Sequence, residues 1–387
     1  MRWLLILLFL PVSGFAQNDF FKFRALTIDE GLSQNTVYDI LQDQDGFMWF
    51  GTEGGLNRYD GHEFVIFKHD PTNENSLSHN VVNSMDEDAK GNLWVGTSGG
   101  GVCKINKETG DITRYLHREN DTLGLPNNNI LVMEKNQQGI LWVGTTSGLS
   151  FYDELTDHFY PITDKDGIIK NLKISGIWFH EDGNIWLGTR GEGIYVYTSA
   201  GELIKNTDFP PNASVYKIYE DRDGNGWIGT RNSGLFFYDK VENEFHQYIH
   251  EEKNEQSISG NSVFSILEDR NGVLWVGTLK DGLNAFDREK NIFHQYKAIK
   301  GNSSSLSDNS IWSLVQDASG LIWIGTYGGG VNMLNTPNII FRYPEYQRFL
   351  NSPRVTSMAC DKEDELWLGY TGGIAKLNKK EGYTPKF

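Results

Sequence analysis

The chain has 387 residues with 42 glycines, 10 prolines and 13% aromatic residues, a composition that fits a large core of short strands and tight turns and excludes a disordered chain. Its formal net charge is −16, from 35 basic and 51 acidic residues. No basic run offsets that charge, so phosphate backbones are repelled and nucleic acid is excluded as a partner.

The chain opens on Met1-Arg2-Trp3, an apolar run from Leu4 to Val12, and small residues at Gly14 and Ala16 ahead of Gln17. This reads as a secretory signal peptide over residues 1–16, and the run is far short of the ~20 residues of a membrane span. The chain is therefore expected in the periplasm. The only cysteines, Cys103 and Cys360, lie far apart in the pattern described next and are read as free. Phe20 to Leu26 matches the last strand of the unit described next.

A repeat then takes over. Trp49, Trp94, Trp142, Trp186, Trp227, Trp275, Trp323 and Trp367 follow one another at intervals of 41 to 48 residues. Most stand in a Gly-x-x-Trp-x-Gly-Thr frame. Twelve residues before each Trp is a β-branched residue, in order Val37, Val82, Ile130, Ile174, Val215, Val263, Ile311 and Val355. Six before stands Asp or Asn, with His180 the exception. Each unit reads as four short strands: an apolar strand such as Val37 to Gln42, an Asp-x-x-Gly turn, the Trp strand, a Gly-rich turn, a third strand and an edge-like fourth. One such unit cannot bury both faces alone, whereas radial stacking buries them. The fold class is all-β, a β-propeller of four-stranded blades, with each Trp packed between neighbours.

The eighth unit departs from the pattern, with Asp364 in place of Gly and Tyr370 in place of Thr, and the connection from residue 336 to 353 lacks the usual Ser-Leu-Ser loop. Seven repeats over 17–336 then close one ring, and 337–387 opens a second, truncated ring. The alternative is one eight-bladed ring, favoured by a chain that stops at Phe387 directly after a third strand. In either ring Phe20 to Leu26 can pair with the final blade and fasten the circle.

The unit Asn-x-Val-x-x-Ile-x-x-Asp-x-x-Gly-x-x-Trp-x-Gly-Thr-x-x-Gly-Leu resembles the two-component regulator propeller repeat, over roughly residues 20–380. The opening Glu30-Gly31-Leu32-Ser33-Gln34-Asn35-Thr36-Val37 is similar to the start of such a sensor. The resemblance implies a periplasmic sensor region of a hybrid two-component system, an oligosaccharide ligand from polysaccharide breakdown, a sensor homodimer, and a histidine kinase in parts beyond this chain. It implies no enzyme activity within these residues.

Motifs for chemistry resolve into turns. Gly224-Asn225-Gly226-Trp227-Ile228-Gly229 fits a dinucleotide pattern but no helix follows. Gly96 to Gly100 fits a nucleophile elbow without its helix. Asp43-Gln44-Asp45-Gly46 and Asp221-Arg222-Asp223-Gly224 lack the ligands of a full calcium loop. No catalytic residue, metal site or cofactor is expected.

Ligand contacts are sought where the repeat deviates from itself, because ring packing does not require those residues. Four after the Trp the series includes Arg190, Arg231 and Tyr327; the two arginines, on adjacent blades, can grip a carboxylate or sulfate together. Eleven before the Trp it includes Tyr38, Tyr216, Phe264 and Trp312, whose faces can stack on sugar rings. The expected function is ligand sensing through these residues. An exported propeller enzyme (glycosidase, lyase or quinone-dependent dehydrogenase) and a protein-binding scaffold stand as alternatives.

Overall fold

The computed structural model describes residues 21–119, 123–198, 201–204, 209–335, 355–361, 366–370, 373–378 and 384–386. The signal-peptide segment, Phe20 and the connection 336–353 lie outside them. Contacts divide the chain into two compact units, Met1–Thr336 and Pro337–Phe387.

The first unit contains seven antiparallel four-stranded sheets, the blades. Blade 1 is Val37–Gln42, Met48–Thr52, Gly55–Tyr59 and Phe64–Phe67 in sequence order. The inner strands of blades 2 to 7 are Val82–Glu87, Ile130–Lys135, Ile174–Phe179, Ser214–Glu220, Val263–Glu268 and Ile311–Gln316. Each inner strand touches the next, and the last touches the first, so the seven close a ring.

The Gly two residues after each Trp lets the next blade approach closely, and the series of contacts closes on itself at the seventh blade. At Gly51 an added Cβ would sit 2.7 Å from Val82 of the next blade. The same approach recurs around the ring and ends with Gly325 against Val37, back on blade 1. Each Trp likewise packs forward. Trp49 shares a core with Val82, Met85 and Val95, and Trp323 shares one with Val37, Ile40 and Phe50. Burying such a side chain removes about 200 Å² from water, worth on the order of 5 kcal/mol as an upper estimate.

Blade 7 takes its outer strand from the other end of the chain. Phe23–Leu26 pairs antiparallel with Val331–Asn335, in the register Phe23↔Leu334 and Leu26↔Val331. Seventh blade and first are thus clasped by one N-terminal strand. The eight-bladed alternative is corrected, because blade 7 is already complete and packs on blade 1.

The residue six before the Trp has a second role besides its turn. In blade 1, Asp43 Oδ1 accepts the Asp45 and Phe47 N–H groups, while Oδ2 accepts the Trp49 indole N–H at 2.8 Å. Trp94, Trp227, Trp275 and Trp323 are held by their aspartates in the same way, at 2.8 to 3.0 Å. Blades 3 and 4, with Asn136 and His180 in that place, leave the Trp142 and Trp186 indole N–H groups buried without a protein acceptor among the described residues.

The second unit has the strands Val355–Cys360, Leu366–Tyr370, Gly373–Asn378 and Thr384–Lys386, in one antiparallel sheet. The expectation that the chain stops after a third strand is corrected: Thr384–Lys386 pairs with the third as a short fourth. Here Trp367 donates to Asp361 at 2.8 Å and is 37% exposed, against 1% for Trp49. Cys103 is buried and free.

Candidate functional site

Every blade breaks its ladder at one place. In blade 1, Val37 faces Thr52 and Asp39 faces Gly51, so Tyr38 is left as the extra residue of a bulge. The same shift singles out Asn83, Leu131, Ser175, Tyr216, Phe264 and Trp312 in blades 2 to 7. A bulge re-aims its residue away from the alternating faces. The residues eleven before each Trp therefore stand outside the regular ladder on the innermost strands, where Asn83 and Ser175 donate to the Ile130 and Val215 carbonyls of the next blade.

Four of them meet across blade boundaries. Tyr38 sits edge-on to Trp312 with ring centres 5.3 Å apart, and Trp312 stacks on Phe264 at 4.9 Å with 9° between the planes. Phe264 meets Tyr216 edge-on at 4.2 Å. The Tyr327 ring, from the turn of blade 7, lies parallel to Trp312 at 6.1 Å and is 52% exposed. The Arg190 guanidinium lies 4.8 Å over the Tyr216 ring. The aromatic and cationic residues expected from the repeat thus form one arc over blades 1, 7, 6, 5 and 4. Burial, the Glu53 carboxylate and neighbouring Tyr327 raise the Tyr38 hydroxyl above the usual phenol range, so it stays a donor. The Trp312 indole N–H has no protein acceptor among the described residues.

Arg190 and Arg231 are brought together by backbone pairing. Arg190 bridges to Ser214, and Ser214 in turn faces Arg231 across the blade 5 ladder. Facing residues of antiparallel strands lie about 5 Å apart and project to the same side, so the two arginine Cα atoms flank Ser214 at a separation of about 10 Å. Enclosure by the surrounding blades lowers the Arg190 pKa, Tyr216 opposes that, and the Arg231 charge lowers it further. Its side chain is open to solvent at the ring mouth yet walled on its sides by protein.

Farther along the inner strands the charge reverses. Asp39 accepts the Met85 N–H of blade 2 at 2.7 Å, and Asp86 pairs with Lys135 at 2.9 Å. Asp39, Asp86, Glu134 and Lys217 belong to blades 1, 2, 3 and 5, yet they feel one another's charge, as side chains facing a common axis must. Desolvation raises Asp39 to about 6 and Glu134 to about 7, against the pull of Lys217. These groups were not anticipated, although the same deviation rule reaches them: ten before the Trp, only Asp39 and Lys217 are charged, and eight before, only Asp86 and Glu134.

Other clusters are closed by their own partners. Asp43, Asp45 and Glu87 converge as cation ligands would, but Lys107 Nζ bonds all three, at 3.0, 2.8 and 2.5 Å. Arg288 fills the equivalent place beside Asp221 and Glu268. A depression at that same end of the strands, lined by Tyr219, Arg222, Glu268 and Arg270, is crossed by an Arg222–Glu268 pair at 2.9 Å. Asn80, Asn128, Asn261 and Asn309, two residues before the β-branched residue that opens the inner strand, each fold a loop by accepting a backbone N–H from eleven residues upstream. Gly224 to Gly229 runs from a turn into the strand Gly226–Arg231, so no helix terminus is there to hold a pyrophosphate.

The sequence model of the two component regulator propeller matches residues 31–54, 76–99, 124–147, 208–232, 257–280 and 305–328, each running from the entry loop through the inner strand to the Trp strand and its turn. The extracellular domain of a proposed hybrid two component system from B. thetaiotaomicron is similar over 92% of this chain and 48% of its own length, with 28% identity and a TM-score of 0.71. A histidine kinase of Formosa agariphila is 47% identical over 68 residues, which are 18% of this chain and 5% of the kinase. The chain thus spans about half of the first relative and a small part of the second. Virginiamycin B lyase from Staphylococcus aureus shares the fold at 14% identity and a TM-score of 0.61, over 82% of this chain and 99% of its own. Six repeat matches set on seven blades of one plan place this chain in the two component regulator propeller family.

Proposed function

We propose that this chain is the ligand-sensing propeller of a two-component signalling system, that it works outside the cytoplasmic membrane, and that it recognises oligosaccharides released from polysaccharides. The observation that carries the ligand class is the arc of Tyr38, Trp312, Phe264 and Tyr216. The C–H face of a sugar ring is apolar and slightly positive, and matches the negative face of an aromatic ring. Phe264 is buried and backs the arc, while the partly exposed Tyr38, Trp312 and Tyr216 and the exposed Tyr327 offer aromatic surface over three blades, which suits a chain of sugars better than a single small molecule. The Tyr38 hydroxyl, held protonated, supplies a donor for sugar oxygens.

Signalling then follows from differential binding. A ligand bridging several blades favours one arrangement of a sensor homodimer over another and passes that preference to a histidine kinase. Residues 337–387 begin a second ring in this reading. The lyase likeness is one of fold alone, and fold does not carry chemistry.

The test is a calorimetric and thermal-shift screen of the purified chain against oligosaccharides of defined linkage. A sugar present at ~100 times its Kd adds about 2.7 kcal/mol to stability. The proposal fails if no oligosaccharide binds, or if a bound one leaves the fluorescence of the mouth tryptophan, assigned with Trp312→Phe, unchanged.

A further inference from the structure

We infer that the ligand is an acidic oligosaccharide, carrying a carboxylate or sulfate that docks between Arg190 and Arg231 while its neighbouring sugars lie along the aromatic arc. The inference rests on the sugar-sensing reading above and narrows it to a charge class and an orientation.

Three observations converge. The first is the pairing Arg190–Ser214–Arg231, in which Arg190 of blade 4, through an isolated bridge, and Arg231, across the blade 5 ladder, flank the same serine. A tetrahedral sulfate or planar carboxylate accepts from such a pair through two or more N–H groups at once. The second is that the pair is uncompensated. Arg222 and Arg288 reach carboxylates, at 2.9 and 3.1 Å, whereas Arg190 and Arg231 have no acidic partner within salt-bridge distance among the described residues. Two like charges are held side by side at the mouth of a chain whose net charge is −16. Nothing in ring packing requires this, because the same position carries Glu53, Ser98, Thr146, Leu279 and Tyr327 in other blades.

The third observation is the placing of Arg190 over Tyr216, the last ring of the arc. The cation–π contact fixes the guanidinium at the point where aromatic stacking ends, so one ligand can use both. On blades 1 to 3 the carboxylates Asp39, Asp86 and Glu134 outnumber the Lys135 and Lys217 beside them, so the anion is favoured at the arginines and not there. An acidic sugar is thereby steered across the mouth, with its charge over blades 4 and 5 and its remaining rings over blades 6, 7 and 1.

The experiment compares matched pairs by calorimetry: oligogalacturonates and carrageenan oligosaccharides of two to six sugars, each with its carboxyl-reduced or desulfated counterpart. The acidic member is expected to bind about 10- to 100-fold tighter, as hydrogen bonds to a charged group allow, with affinity falling as salt rises. In the Arg190→Gln/Arg231→Gln variant the ratio falls toward one. Both side chains are exposed, so a melting curve like that of the parent is expected. Equal binding of the acidic and neutral members, or a preference that survives in the variant, overturns the acidic assignment and leaves the sugar arc standing. No binding of any member overturns both.

Discussion

Blades 5, 6, 7 and 1 display Tyr216, Phe264, Trp312 and Tyr38 at the bulge, whereas blades 2, 3 and 4 display Asn83, Leu131 and Ser175 at the same bulge. The backbone is the same on both sides of the ring, and only the side chains differ. The two sides also differ in how the blades are locked. Trp227, Trp275, Trp323 and Trp49 are held by buried aspartates, while Trp142 and Trp186 are not. One plan thus yields a side with aromatic bulge residues and clamped tryptophans, and a side with smaller bulge residues, two tryptophans without the aspartate clamp, and the carboxylates Asp86 and Glu134 on its inner strands, with Asp39 alone on the aromatic side. At this one backbone position Asn83 and Ser175 bond the next blade, whereas the aromatic residues contact one another across the blade boundaries.

The sharpest way to break the contrast is to truncate the centre of the arc. Trp312→Ala removes the ring shared by Tyr38, Phe264 and Tyr327. Oligosaccharide affinity is expected to drop about 30-fold, the ~2 kcal/mol of a central aromatic anchor. Leu131→Ala, at the equivalent bulge across the ring, is expected to change it less than twofold. Calorimetry on the two variants decides, and equal losses would show that the arc has no special claim on the ligand.

The second contrast is read in stability. Asp269→Asn keeps the turn but turns an amide toward the Trp275 indole N–H, which now has a carboxylate at 3.0 Å. A loss of about 1–3 kcal/mol is expected from a buried donor left unpaired, measured by denaturant unfolding. The reverse change, Asn136→Asp, offers blade 3 the missing acceptor for Trp142 and is expected to gain about 1 kcal/mol. If Asn136→Asp is neutral, the orphaned indole is not what separates the two sides.

Much of this was legible in the chain itself. The Trp spacing gave the blades, and Phe20 to Leu26 stood out as a strand seeking a distant partner, which the described part from Phe23 onward finds in Val331–Asn335. The adjacency of Arg190 and Arg231 followed from their places in consecutive repeats. The bulge did not, because it is a shift of register between two strands, and the fixed offsets of Val37 and Ile40 from Trp49 are compatible with a regular ladder as well. The clamp was half visible. The aspartate six before the Trp reads as a turn residue, but its second oxygen meets the indole only when the hairpin is folded. The channel carboxylates follow the same deviation rule as the arginines, at positions where an apolar or small residue is usual. Their meaning depended on seeing blades 1, 2, 3 and 5 face one axis.

The smallest expected effect concerns those carboxylates, and its sign follows from their environment. Asp39, at about 6, and Glu134, at about 7, hold their protons more tightly in the folded ring than in the unfolded chain, because desolvation there outweighs Lys217, and the neighbouring Asp86 adds to it. For Glu134, Lys135 opposes the rise and Asp39 supports it. Between the unfolded value near 4 and these raised values the native state binds more protons, so the stabilising contribution is complete below about pH 4 and is lost as pH rises through 6 to 7. The melting temperature should therefore fall from pH 5 to pH 8, and Glu134→Gln should flatten that slope. The same protonation removes negative charge opposite Arg190 and Arg231. An acidic oligosaccharide should then bind about two- to threefold tighter at pH 5.5 than at pH 8, a modest gain because charges across an open channel are screened over about 8 Å. Its neutral counterpart should show no such trend, and Glu134→Gln at pH 8 should recover part of the gain. A pH slope in binding that is identical for the acidic and neutral sugars would mean that protonation acts on the ring as a whole and not through the opposition of its two sides.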